Sequence, residues 1–300
     1  MIPAGSMEGR SLRAGILIAL VLACVDPDRC GAAAQDLLPP GPGWTVAGPA
    51  ALLDPVSPLS VSPRHALRDG RPGWCLSVSR PFSVEGLEYA ETAVVTGLGE
   101  GELGARWRQL GGDGLRHVEL ELDCRLKVTS ERCPNGISAS EESSRGSLIS
   151  SGLWLGMGAG FQTLSGSGMP RYGAGVFHMA LAVQWKVEWR AAVAYRGGFG
   201  SHAGWVRPGL EGAVGRFNEK LAVLAGWSCQ RAGDFIPALS LSFRGRRVRF
   251  DAGVWGVPVA PAAGIHLVVK ELRWSVEGRW VPDLGLQLLW SVASPRFGGQ

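Results

Sequence analysis

The side chains best suited to proton transfer or metal ligation are five histidines, His65, His117, His178, His202 and His266. They are scattered. None forms the H-E-x-x-H spacing that sets two imidazoles on one helix face, and none has a second histidine nearby. A Ser-His pair assembled from distant strands stays open as an alternative, but the reading taken is that the chain is not an enzyme. The cysteines lack C-x-x-C spacing, so no zinc or other metal site is expected, and no cofactor. Cys124 and Cys133 are near enough in sequence to bridge a short loop in an oxidising compartment; the alternative is two unbonded, small apolar strand residues. Gly99-Glu100-Gly101-Glu102-Leu103-Gly104 matches G-x-G-x-x-G. That fingerprint needs a strand before it and a helix after it. A period-two run, Leu103, Ala105 and Trp107, follows instead, so the stretch reads as a glycine-rich turn.

The charged residues sit on elements with a clear period. From Val118 to Val128 every even position is apolar: Val118, Leu120, Leu122, Cys124, Leu126 and Val128. The odd positions are Glu119, Glu121, Asp123, Arg125 and Lys127. A helix would scatter these charges around its circumference, whereas a strand puts them on one face. Parity flips across Gly245-Arg246, where Leu239, Leu241 and Phe243 give way to Val248, Phe250, Ala252 and Val254. A two-residue turn would pair Arg244 with Arg247, Phe243 with Val248 and Leu241 with Phe250. Lys270-Glu271 repeats the arithmetic, pairing Val269 with Leu272, Leu267 with Trp274 and Ile265 with Val276. Three-residue connections at 186–188 and 281–283 preserve parity, the second pairing Trp280 with Leu284 and Trp274 with Trp290. Asn218-Glu219 is a weaker turn. About fourteen strands result, most of them near the 9–11 residues that a tilted membrane strand requires.

Composition agrees with short strands and tight turns. The 300 residues include 44 Gly and 12 Trp, only 19% are charged and 46% are hydrophobic, which excludes disorder. The net charge of +4 is spread thinly, with no Lys/Arg block to suggest nucleic acid as a partner. Residues 1–34 read as a signal peptide: Arg10 and Arg13, an apolar run from Ala14 to Val25, then Ala32-Ala33-Ala34 before Gln35. A competing reading is a lipoprotein signal ending at Cys24. Residues 35–72 form an irregular lead-in, 73–293 a barrel, and 294–300 a tail. Residues 129–150, with seven serines, read as a loop.

Alternation alone does not separate a soluble sandwich from a membrane barrel. The export signal and the mixed charge of the polar faces favour an antiparallel transmembrane β-barrel in the bacterial outer membrane, with lipid against its apolar face. The expected lumen-facing residues are Glu119, Glu121, Asp123, Arg125, Lys127, Arg247, Arg249, Asp251, Arg273, Glu277 and Arg279. Mixed signs suit a lumen crossed by salt bridges, because lone buried charges are costly. Trp74, Trp107, Trp185, Trp189, Trp255, Trp274, Trp280 and Trp290 fall at or near strand ends, where aromatic rings favour a bilayer interface. The function expected is a channel for small or hydrophobic solutes, or a barrel serving a secretion partner protein. The alternative is an exported soluble or lipid-anchored β-protein that binds a partner.

The stretch from Asp54 to Tyr89 resembles the opening of PorV/PorQ-type barrels, related in architecture to FadL channels. Those proteins carry an Asn-Pro-Ala turn, a Leu, and a first strand ending near Arg-Pro-Phe. Here Ser62-Pro63-Arg64 and Leu67 stand at the turn, and Arg80-Pro81-Phe82 fits the strand end. The hairpin from Gln184 to Tyr195 is also similar to that family's repeated units. The resemblance implies a fourteen-stranded barrel and carries no substrate.

Overall fold

The computed structural model describes residues 43–54, most of 72–294, and Phe297. The expected signal peptide, Cys133 and the segment 131–151 lie outside the described residues.

Fourteen antiparallel strands close into one barrel. In chain order they are β1 (Gly73–Ser79), β2 (Glu88–Leu98), β3 (Gly101–Gly111), β4 (Leu115–Ser130) and β5 (Gly152–Gly166). Then come β6 (Met169–Gln184), β7 (Trp189–Phe199), β8 (Gly209–Phe217), β9 (Leu221–Cys229) and β10 (Phe235–Arg244). The last are β11 (Val248–Trp255), β12 (Ala260–Val269), β13 (Leu272–Val281) and β14 (Gly285–Ala293). Each strand pairs with its sequence neighbours, and β1 pairs with β14 to remove both edges. Up-and-down order joins each strand to its neighbour, and most of the connections are short turns carrying Gly, Asn or Pro, the long one running from β4 to β5.

Loop chemistry decides the registers. Val269 pairs Leu272, Leu267 pairs Trp274 and Ile265 pairs Val276, the register expected for a Lys270-Glu271 turn. Lys270 accordingly takes a positive φ of 56°. The β10–β11 hairpin differs: Phe243 pairs Phe250 and Arg244 pairs Arg249, two residues beyond the expected register. Gly245 N–H donates to Val248 C=O at 2.7 Å, making a wider turn. The β13–β14 hairpin is displaced equally, with Trp280 opposite Leu286 and Trp274 opposite Val292. A two-residue shift keeps every side chain on its face.

The lead-in is not wholly irregular. Trp44–Ala47 is a turn of helix, α1, and Gly48–Leu53 a 3-10 turn. Both lie inside the barrel. Ala50, Ala51 and Leu53 are fully buried and pack on Ala182, Ala192, Ala213, Leu224 and Ala238 of the inner wall. The wall is thin where they rest. A Cβ on Gly226 would strike the Ala50 backbone, and one on Gly253 would strike Val46 C=O. Beyond β14, Phe297 is buried with Cys75, Ala93, Val95 and Ala293, so its ring too is enclosed by the wall.

Candidate functional site: the barrel interior

The pleat sorts side chains into two populations. Outward positions are apolar and exposed: Leu120 and Leu122 are 51% and 61% exposed, Phe250 and Trp290 each 54%. Among the described strands, the charged residues of outward parity are Glu88, Arg116, Arg171 and Arg216, all near strand ends. Inward positions carry the charge and are enclosed. Tyr89, Glu119, His266 and Glu277 are at most 1% exposed, so no wide water path passes them.

On one side of the interior, buried ion pairs link β3, β4 and β7. Arg106 pairs with Glu121 and Arg108 with Glu119 across β3 and β4, and Arg196 reaches from β7 to both glutamates. Arg125 pairs with Asp123 at 2.9 Å and Glu102 at 3.5 Å. Tyr89 Oη donates to Glu91 at 2.5 Å. Cross-strand register extends this polarity round the wall. Arg249, His266, Ser275, Ser291, Ser77, Glu91, Arg108, Glu119 and Gln162 are successive neighbours on strands β11 through the closure to β5.

The other side holds the N-terminal plug. Gly43 N–H reaches both Glu277 oxygens at 3.0 Å, and Trp255 Nε1–H donates to Thr45 C=O at 3.1 Å. The Arg279 guanidinium stacks 3.5 Å over the Trp255 ring. At the far end Arg249 donates through Nη1 and Nη2 to the two Asp54 oxygens, at 2.9 and 2.5 Å. Arg249 also holds Asp251 at 2.7 Å, and His266 Nε2 meets the other Asp251 oxygen at 2.7 Å. Burial pushes the Asp54 carboxyl up, but the Arg249 guanidinium outweighs burial and holds it below the ordinary value of 3.8.

Of the residues named from sequence, Glu119, Glu121, Arg125, Arg249, Asp251, Arg273, Glu277 and Arg279 are buried on inward faces. Asp123 and Lys127 are half-buried there. Arg247 is different: it is exposed in the turn ahead of β11, because the wider hairpin moves it off the wall. Cys124 carries a free thiol. Trp255 faces inward onto the plug rather than outward. Sequence reasoning missed Asp54, Arg106, Arg108 and Arg196. Arg106 and Arg108 were within reach, since they alternate with Ala105 and Trp107.

No family model matches the chain, and no curated protein does. Solved structures with similar outlines include a Rh. blastica porin mutant, at 10% identity and TM-score 0.39 over 74% of this chain and 98% of that one. Another is a KdgM porin in complex with disordered oligogalacturonate, at 10% identity and TM-score 0.38, covering 74% and 98%. At these values they add nothing to the barrel read directly from strand pairing.

Proposed function

We propose that this chain is an outer-membrane β-barrel that passes small solutes through a lumen closed, in this state, by its own N-terminal segment. One observation carries the reading: a continuous, exposed, apolar outer face surrounds an enclosed charged one. Soluble monomers rarely expose apolar patches beyond a few hundred Å², and a lipid-facing barrel requires this inversion. The exposure of that face counts against the exported soluble alternative, whose apolar side chains would be its core. The PorV/PorQ-type relationship is part of the proposal and rests on the sequence around Arg80-Pro81-Phe82, which follows the end of β1 at Ser79. A hydrophobic solute or a secretion partner remains compatible with it, but the charged interior favours polar solutes.

The test is reconstitution into bilayers. A fluorophore at position 248 should be quenched by brominated lipid, and deletion of 43–54 should raise conductance well above that of the intact chain. A label shielded from lipid sinks the membrane reading. Unchanged conductance in the deletion sinks the gating role of the plug.

A further inference from the structure

Three arginines converge at the end of the interior that holds Asp54, the last described residue of the plug. Arg190, Arg244 and Arg249 lie on β7, β10 and β11. The guanidinium carbons of Arg190 and Arg244 stand 4.7 and 5.8 Å from the centre of one ring, Phe217. Arg244 is the register partner of Arg249. Cations gathered this way repel one another unless an anion shares the space. Asp251 is engaged within the wall by Arg249 and His266. The carboxylate that enters from off the wall is Asp54, gripped at both oxygens by Arg249. This two-pronged grip is how a guanidinium takes a free carboxylate or phosphate. Hydrogen-bonding capacity remains beside it. Arg244 Nε and Ser242 Oγ, two positions apart on one inner face, are buried without a hydrogen-bond partner among the described residues. Buried donors left unsatisfied are costly, and a ligand's oxygens would satisfy them.

We propose that this cluster is a binding site for oxyanions, a carboxylate or phosphate group on a water-borne solute, and that Asp54 occupies it as an internal substitute. An incoming anion then competes with Asp54 for the same guanidinium fork and frees the end of the plug. This rests on the transport reading above and gives that lumen its solute class. The site is on the inner wall, so the anion arrives from water and not from lipid.

Inorganic phosphate is the probe, titrated at constant ionic strength into the full chain in phosphatidylcholine nanodiscs and followed by calorimetry. Saturable binding should tighten at least tenfold in Asp54→Asn, which removes the competing charge. It should weaken at least tenfold in Arg244→Gln, with the mobility of the unheated barrel on gels unchanged. Phosphate should also speed amide exchange of residues 43–54 in the parent chain. The proposal falls if phosphate does not saturate, if Arg244→Gln binds as the parent does, or if loss follows the exposed pair Arg246→Gln/Arg247→Gln instead. Phosphate binding with this pattern in a barrel that conducts nothing keeps the site and removes the transport reading. A conducting barrel indifferent to phosphate does the reverse.

Discussion

Glu119 accepts hydrogen bonds from arginines on two different strands, Arg108 and Arg196, while almost wholly enclosed. A buried pair of this kind contributes little net stability over an apolar replacement, but breaking one partner leaves uncompensated charge. Glu119→Gln should therefore cost about 3–5 kcal/mol in denaturant unfolding of the folded barrel. A loss under about 1 kcal/mol, the scale of an exposed ion pair, would mean the interior is far wetter than the geometry indicates. Asp54 gives the pH counterpart. Its native value is lowered, so its stabilisation is complete above the ordinary 3.8 and is lost as pH falls below that through the native value. The charges facing it are Arg249, Asp251 and Arg244. Amide-exchange protection of residues 43–54 should hold at mildly acidic pH, collapse in strong acid, and lose that step in Asp54→Asn. Such residues were only partly legible. Alternation marks which parity carries charge, yet nothing local to Asp54 announces a partner on β11.

At the scale of elements, alternation fixed faces more firmly than pairings. Hairpins β12–β13 and β6–β7 have the registers their short turns imply, with Val183 opposite Ala191 in the second. Hairpins β10–β11 and β13–β14 slipped by two residues because parity is blind to even shifts and only turn geometry resolves them. The plug was missed because six residues of 3-10 turn have no period to read. A second signal was present on the wall. Midway along β6 to β10 the inward positions include Ala180, Ala182, Ala192, Ala194, Ala213, Gly226 and Ala238, while Arg190, Arg196, Glu211 and Arg244 share that parity nearer the strand ends. A patch of small, uncharged inward positions shared by neighbouring strands leaves room for something apolar to seat on it. Two substitutions test these elements. Gly253→Leu should unseat the plug and expose 43–54 to protease while strand content by circular dichroism stays constant; continued protection would show that the close approach to Val46 is not needed. Lys270→Gly should stabilise the barrel by up to about 1 kcal/mol by relieving a positive φ that L-residues resist, read as a raised denaturation midpoint.

For the whole molecule, the outer surface yields the sharpest discriminator. Leu122 sits on the long strand β4 and is well exposed. Leu122→Arg should cost about 2–4 kcal/mol in a bilayer near its midplane, whereas an exposed leucine in water tolerates arginine within about 0.5 kcal/mol. Unfolding measured in lipid vesicles decides between them, and a neutral result would remove lipid from the outer face. The strand count was visible in the sequence because alternation repeats in every segment; closure was inferred from the export signal and the mixed charge of the polar faces, since no local signal says that the first strand meets the last. That meeting governs how the chain reaches its final state. Trp74 N–H donates to Ser294 Oγ across a sequence separation of 220, and Cys75 lies opposite Ala293. The seam cannot form until β14 and Ser294 have left the ribosome, more than two hundred residues after β1. Until then β1 presents an unpaired edge beside apolar surface, an invitation to aggregate. Closure should therefore be the slow step of assembly, dominated by its most distant contact, and on the membrane reading proposed above the apolar outer face would need cover until lipid meets it.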